Sequence, residues 1–378
     1  MRAVCNTETF GKKLALVSRG VSARSTIQLL GGILFEAGGE GVRLSATDME
    51  ISVQTSSPAE IEEEGRVVIP ARIFNDIVRS LPGGRFSLEH DGSAGTVRLG
   101  AGENEYRIRA YAADDFPPLP GFEAESAFKM GGELLVETVE KVARSYSRDE
   151  TRPVLTGILI SFEESRVRMV TTDSYRLSIK ETELATTAFE GSREAIIPAR
   201  AMQEVARIFG SEGEEDVEVA LGQNQALFRI GDVLFGTRLI DGNFPEYKRL
   251  LPTTFERKIS VSREDLIDTL RRVNLFAQRQ TPPVPVSLSF SEGSVEVIVR
   301  NGEIGEAHER LDATSEDEFL ISFNPGYLLD GVSAIDTENV VFKFNEPLKP
   351  GLIVPGADGE EEPDFLYLIM PMRDPSRG

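Results

Sequence analysis

Apolar residues recur along this chain with two alternating periods. VRLSATDMEISVQT at 42–55, SRVRMVTTDSYRLSI at 165–179 and GSVEVIVRN at 293–301 carry the two-residue period of half-buried strands. Between such stretches the period lengthens. Phe10, Leu14 and Val17 form an i, i+4, i+7 stripe, as do Leu135, Val139 and Val142, and Leu266, Leu270 and Val273. Each stripe predicts an amphipathic helix with one face on a core. Two further helices are predicted after VVIPAR and AIIPAR, turning Phe74, Ile77, Val78 and Leu81, and Met202, Val205, Ala206 and Phe209, inward. Many short strands with few helices point to an α+β fold of antiparallel sheets covered on one face by helices.

The pattern repeats. Pro70 of VVIPAR returns as Pro198 of AIIPAR, 128 residues on. Thr47-Asp48 returns as Thr172-Asp173 after 125 residues, and Phe116-Pro117 as Phe244-Pro245 after 128. A fainter third copy places FLISFNPGYLLDGV at 319–332 where the Ile-Pro-Ala-Arg phrase recurs, and Asp76 to Asp330 spans 254 residues, twice 127. Three times 126 is 378, the chain length. A period this long exceeds solenoid repeats and predicts three similar domains, at 1–125, 126–254 and 255–378.

Composition narrows the function. Trp is absent and aromatics make up 7%, so the cores are expected to be aliphatic. The single cysteine, Cys5, forms no internal disulfide, the N-terminus carries no apolar leader, and no 18-residue apolar run exists. The expected location is cytoplasmic, without a membrane. A net charge of −21 argues against phosphate binding unless the 41 Lys and Arg are gathered on one surface. They are partly so gathered. Arg72, Asp76 and Arg79 lie opposite one predicted core stripe, and Arg200, Glu204 and Arg207 repeat that order on another. Acidic runs fall in predicted loops, at EIEEE 60–64, GSEGEED 210–216 and DGEEEPD 358–364. This distribution predicts a positive inner face and a negative exterior.

Phosphate loops, zinc-ligand spacings and nucleophile motifs are missing. His90 and His308 stand alone, and Asp48, Asp115 and Asp173 recur with the repeat, which assigns them to turns and strand ends. An enzyme is therefore disfavoured, and no cofactor or metal is expected.

The whole chain resembles the bacterial sliding clamp family, the beta subunit of DNA polymerase III. The residues that carry the likeness are the two Ile-Pro-Ala-Arg phrases, Ala112 through Pro117, Thr172-Asp173 with Arg176-Leu177, Asp241-Gly242 with Phe244-Pro245 and Tyr247, and Met370-Pro371-Met372-Arg373. The resemblance implies three clamp domains and a head-to-tail homodimer whose helices line a hole around duplex DNA, each Ile-Pro-Ala-Arg phrase launching a hole-lining helix with Pro in its first turn. Its function would be to tether the replicative polymerase and to recruit the clamp loader and other replication and repair proteins through a short peptide motif. The implied peptide site comprises Leu155, Thr172, Arg176, Leu177, Pro245, Arg249 and Leu250. Leu348, Leu368, Ile369, Met370, Pro371, Met372 and Arg373 complete it, with Arg176 or Arg373 orienting a peptide carboxyl or carbonyl. The implied DNA-binding set is Arg24, Arg72, Arg79, Arg148, Arg152, Arg200 and Arg207. Ser174 and Tyr175 depart from the Gly and His of a well-known relative, which narrows one pocket edge. Arg148-Asp149 and Pro153-Val154 replace polar and Tyr residues in a DNA-contacting loop, and NEPLKPGLIVPGADGEEEPD reads as a lengthened loop. Ring closure is expected between the edge strand near Tyr106 and Ile108 and the strand near Val297 and Val299, aided by Leu275 and Phe276. The alternatives are a multi-domain peptide-binding scaffold that does not encircle DNA, and a hydrolase built on the recurring aspartates.

Overall fold

The alternating stretches become strands and the three stripes become helices in the computed structural model. It describes residues 1–22, 26–39, 41–121, 127–163, 165–184, 192–212, 216–277, 283–356 and 363–373. Helices α1 (Thr7–Val17), α2 (Ala71–Ser80), α3 (Gly132–Val142), α4 (Ala199–Glu212), α5 (Arg263–Ala277) and α6 (Pro325–Ser333) follow in chain order. Phe10, Leu14 and Val17 of α1 are fully buried, as are Val139 and Val142 of α3 and Leu270 and Val273 of α5. The Asn6 side chain accepts from the backbone N–H groups of Glu8 and Thr9, and Asn324 caps α6 through Gly326 and Tyr327. One detail differs from the sequence reading. Pro70 is the N-cap residue, one position before α2, and not part of its first turn. Its ring holds the extended strand end, φ −53° and ψ 118°, from which the helix departs at Ala71. Only α6 carries a proline, Pro325, inside its first turn.

The described residues form two compact units. The first, Met1–Glu133 with Arg200–Leu239, is built on a twelve-stranded antiparallel sheet. Its main path runs 104–109, 96–101, 85–91, 2–6, 51–63, 233–238, 225–230, 216–221, 127–131. The 13-residue strand Ile51–Glu63 is long enough to pair with strand 2–6 near its end and with strand 233–238 near its start, where Gln54 faces Leu234. Phe10 packs 5.2–6.1 Å from the rings of Phe35, Phe74 and Phe86, so an aromatic cluster centres this core where the composition predicted a purely aliphatic one.

The second unit, Leu134–Ala199 with Ile240–Gly378, holds an eight-stranded and a four-stranded antiparallel sheet. In the larger sheet, strand Arg176–Glu183 pairs with strand Phe365–Ile369, setting Leu177 against Leu368 and Ile179 against Leu366. Helices α5 and α6 pack with Phe290, Phe319, Phe342 and Phe344 into a second core.

The two units therefore repeat one kind of joint. The strand after each Thr-Asp pair, 51–63 or 176–183, takes on a strand from the end of the following repeat, 233–238 or 365–369. Among the described residues this rule leaves two strands open: 104–109, which ends the twelve-stranded sheet, and 305–312, which ends the four-stranded sheet. The strand bearing Val297 and Val299 is not an edge. It pairs on both sides, with 286–291 and 305–312, and both valines are fully buried. The stretch at 345–364 is likewise not one loop. Gly351–Pro355 forms an interior strand between 339–344 and 365–369, because Leu352, Ile353 and Val354 supply a run apolar on both faces. Among the described residues no helix is long and apolar enough to cross a membrane.

Candidate functional site

The second Thr-Asp pair builds a tight turn. The Asp173 carboxylate accepts from the backbone N–H groups of Tyr175 (2.9 Å) and Arg176 (3.0 Å), and Thr172 Oγ1 donates to the Arg176 carbonyl at 2.7 Å. Ser174 is thereby held at φ 81°, in the left-handed region. The turn aims Tyr175 outward, 61% exposed, and turns Arg176 inward. Arg176 Nε donates to Asp173 at 3.0 Å, its Nη1 donates to Asp330 at 2.5 Å and to the Tyr367 hydroxyl at 3.5 Å, and its guanidinium lies 4.2 Å from the Tyr327 ring centre. Burial opposes the charge, and Tyr367, Asp330 and Asp173 outweigh it, so the guanidinium pKa is held above its ordinary value. Burial also pushes the Tyr367 hydroxyl well above the usual tyrosine range. Arg176 is thus balanced by two carboxylates within the chain. Its guanidinium secures the turn to α6 and to strand 365–369.

Strand alternation then sorts the other sequence-derived residues. Leu177 and Leu368 face one side of the eight-stranded sheet and are buried in one cluster with Val170, Tyr247 and Leu352, against which Phe244 and Leu251 pack. Ile369 points to the opposite side and is fully buried in the α5–α6 core. Leu155 is buried on the turn at 153–156, its carbonyl accepting from Ser147 N–H at 2.8 Å. Thr172 is buried as well. Pro245, Arg249 and Leu250 lie on an exposed segment. The Pro245 carbonyl accepts from Tyr247 N–H, Arg249 pairs with Glu246 at 2.7 Å, and Leu250 is 53% exposed. The C-terminal stretch is pinned by its backbone. Met370 N–H donates to the Tyr175 carbonyl at 2.8 Å and Met372 N–H to the Ser322 carbonyl at 2.7 Å. Met370 is 39% exposed, Pro371 and Met372 are half-buried, and Arg373 is exposed. Leu348 stands 64% exposed on the turn between strands 339–344 and 351–355. The arrangement is a buried aliphatic floor, Leu177 and Leu368, whose neighbours along the chain include exposed apolar side chains: Tyr175 two residues before Leu177, Met370 two residues after Leu368, and Leu250 beside Leu251 of the same cluster. Sequence reasoning missed Asp330, Tyr327 and Tyr367. The only signal was that Asp330 stands in repeat register with Asp76 on a helix lacking arginines.

The basic positions divide by their partners. Among the described residues Arg72, Arg79, Arg148 and Arg200 are exposed and have no ion pair. Arg207 is bound to Glu204, which also takes Arg19 at 2.8 Å, and Arg152 donates to Asp149 at 3.1 Å and to Ser174 Oγ at 2.9 Å. The acid of α2, Asp76, has no ion pair among the described residues, so of the two Arg–acid–Arg faces the one on α4 carries an internal ion pair and the one on α2 does not. Arg24 lies outside the described residues.

Three family models match in succession: the DNA polymerase III beta subunit N-terminal domain over residues 1–120, its central domain over 129–246 and its C-terminal domain over 248–373. The beta sliding clamp of Streptomyces coelicolor is 33% identical over 99% of both chains, and that of Staphylococcus aureus 31% identical over 94% of both. Among solved structures, the DNA polymerase sliding clamp of Bacillus subtilis superposes with a TM-score of 0.92 at 28% identity over 99% of both chains. The Pseudomonas aeruginosa clamp bound to griselimycin does so at 0.90 and 26% identity, again over 99% of both. With its three clamp domains and its strand-sharing joints, the chain belongs to the DNA polymerase III beta subunit family, the bacterial beta sliding clamps, which serve DNA replication as processivity clamps.

Proposed function

We propose that two copies of this chain close head to tail into a ring that encircles duplex DNA, slides on it without reading sequence, and tethers the replicative polymerase. The observation that carries this reading is the pair of open edges. Within the chain, the strand following each Thr-Asp turn is completed by the last strand of the next repeat. In the third repeat the corresponding strand, 305–312, has an open edge, and in the first repeat the last strand, 104–109, has one too. Pairing 104–109 of one copy with 305–312 of another continues the rule and closes by twofold symmetry. Leu275, 71% exposed on α5, is the apolar companion of that contact. The domains we assign are 1–125, 126–254 and 255–378, in keeping with the family-model spans.

DNA attraction is assigned to Arg72, Arg79, Arg148 and Arg200, which have no ion pair among the described residues, with Arg24, Arg152 and Arg207 as weaker contributors. Non-directional attraction to phosphates suits a ring that must slide. Partner peptides, from the polymerase, the clamp loader and other replication and repair proteins, are assigned to the surface around Leu177 and Leu368. Leu155, Thr172, Pro245, Arg249, Leu250, Leu348, Met370, Pro371, Met372 and Arg373 surround it, Arg176 braces it, and Ile369 supports it from the opposite sheet face. That a relative's structure holds griselimycin supports the presence of a ligand site on clamps of this family. The protein is proposed to be cytoplasmic and non-catalytic, and to need no cofactor or metal.

The test is retention of the intact protein on DNA. Loaded by its clamp loader, it should stay on nicked circular duplex through gel filtration and run off the same DNA once linearised. Arg107→Pro, on the open strand with its N–H turned away from strand 96–101, should leave a folded monomer by light scattering and abolish retention. A wild-type chain that remains monomeric at micromolar concentration and is not retained on circles would refute the ring.

A further inference from the structure

A second groove lies on the same face of the eight-stranded sheet, one residue pair along from Leu177 and Leu368. It encloses about 680 Å³, within the range of ligand sites, and its apolar floor is Ile179, Leu352 and Leu366. Of its charged lining, every acid is already engaged: Glu181 with Arg168 at 2.7 Å, Glu183 with Arg166 at 3.5 Å, and Asp364 with Lys180. One cation is not. Lys343 is half-buried, lies 5.8 Å from the Phe255 ring centre, and has no ion pair among the described residues. Its direct cross-strand neighbour is a second lysine, Lys258, on the edge strand 257–262, also without an ion pair among the described residues. Like charges directly opposite one another on a sheet are destabilising. Burial and then Lys258 hold the Lys343 ammonium below the usual lysine pKa. Lys258 on its own is an ordinary guard of an edge strand. Lys343, on a strand paired on both sides, guards no edge.

We propose that this groove binds an acidic peptide segment of a partner protein, with a carboxylate seated between Lys258 and Lys343 and an adjacent aliphatic side chain laid on Ile179, Leu352 and Leu366. A carboxylate there relieves the lysine–lysine repulsion and gives Lys343 an ion pair that it does not have among the described residues. Duplex DNA is the wrong occupant, because the groove floor is aliphatic and Glu181, Glu183 and Asp364 line it. The inference stands independently of the peptide site around Leu177.

Fluorescence polarisation of fluorescein-labelled Leu-Glu-Leu-Glu-Leu amide against the intact protein at low salt tests it. Saturable binding is expected, at least tenfold weaker in Lys343→Gln and in the Lys258→Gln/Lys343→Gln double variant, largely restored in Lys343→Arg, and lost with Leu-Gln-Leu-Gln-Leu amide. Met370→Glu should leave it unchanged, which separates this groove from the other peptide site. Absence of saturable binding, equal affinity in the double variant, or loss with Met370→Glu would each overturn the proposal. So would a tenfold gain on replacing Glu360, Glu361 and Glu362 by Gln, since the chain's own acids would then be the occupant.

Discussion

The turns at 47–51 and 172–176 are the same object used twice. In each, the Asp side chain accepts two backbone N–H groups (2.9 and 2.8 Å at Asp48, 2.9 and 3.0 Å at Asp173), and the Thr hydroxyl donates to the carbonyl four residues on at 2.7 Å. Each holds a non-glycine residue left-handed, Met49 at φ 77° and Ser174 at φ 81°. The residue that closes each turn differs. Ile51 is an apolar strand residue facing Thr237, and the turn simply ends a hairpin. Arg176 is a buried cation clamped by Asp173, Asp330, Tyr367 and Tyr327. One local hydrogen-bond plan can therefore simply end a hairpin or seat a buried cation that ties the turn to distant elements, and a single side chain at its last position decides which.

The largest expected effect lies in that difference. Asp173→Ala leaves the buried Arg176 with one carboxylate fewer and should cost about 3–5 kcal/mol in urea unfolding, the usual penalty for breaking a buried pair. Asp48→Ala removes only hydrogen bonds and should cost about 1–2 kcal/mol. Equal costs would show that the Arg176 clamp adds nothing beyond the turn.

Next comes ligand binding. Met370→Glu should weaken a labelled Gln-Leu-x-Leu-Phe-type peptide by roughly ten- to a hundredfold, the value of one or two buried apolar anchors at about 1.5–3 kcal/mol each. Met49→Glu, beside the first turn, should leave the peptide untouched. If both variants bind alike, the second turn has no special place in recognition.

A smaller effect, sensitive to salt, separates the helices. Reversing Arg72, Arg79 and Arg200 to Glu should flatten the dependence of DNA retention on log salt by about 2–3 in slope, near 0.9 for each phosphate that is no longer neutralised. Arg207→Glu should change it less, because Glu204 already neutralises that guanidinium. A slope unchanged in the triple variant would remove these helices from the DNA surface.

The smallest effect probes what the turns share. At Met49 and Ser174, Gly relieves a left-handed strain of roughly 1 kcal/mol but loosens the unfolded chain by about 0.4–1 kcal/mol. Both variants should shift stability by under about 1 kcal/mol, and by similar amounts. A clear divergence would mean that the two turns are not equivalent in energy.

Much of this was legible in the residues alone. The 125–128-residue recurrence of Pro70, Thr47-Asp48 and Phe116-Pro117 disclosed the repeats. The i, i+4, i+7 stripes located the three leading helices, because helical period and burial are local consequences of side-chain spacing. The exposed arginines of α2 and α4 were readable from the same periodicity. Other features depended on partners distant in sequence. Strand 351–355 reads as loop until its two neighbours are known. Among the described residues the strand that ends the four-stranded sheet is 305–312, not the strand of Val297, because an edge is defined by a missing neighbour and pattern alone does not reveal one. Ile369 and Leu368 are adjacent in sequence and equally apolar, yet the pleat sends them into different cores. Asp330 reaches Arg176 across 154 residues of chain. Sequence determined which elements form and how often they repeat, because propensity and period act within a few residues. Only the tertiary structure decided which charges are neutralised and which strand edges remain open, because both depend on what the rest of the chain brings alongside.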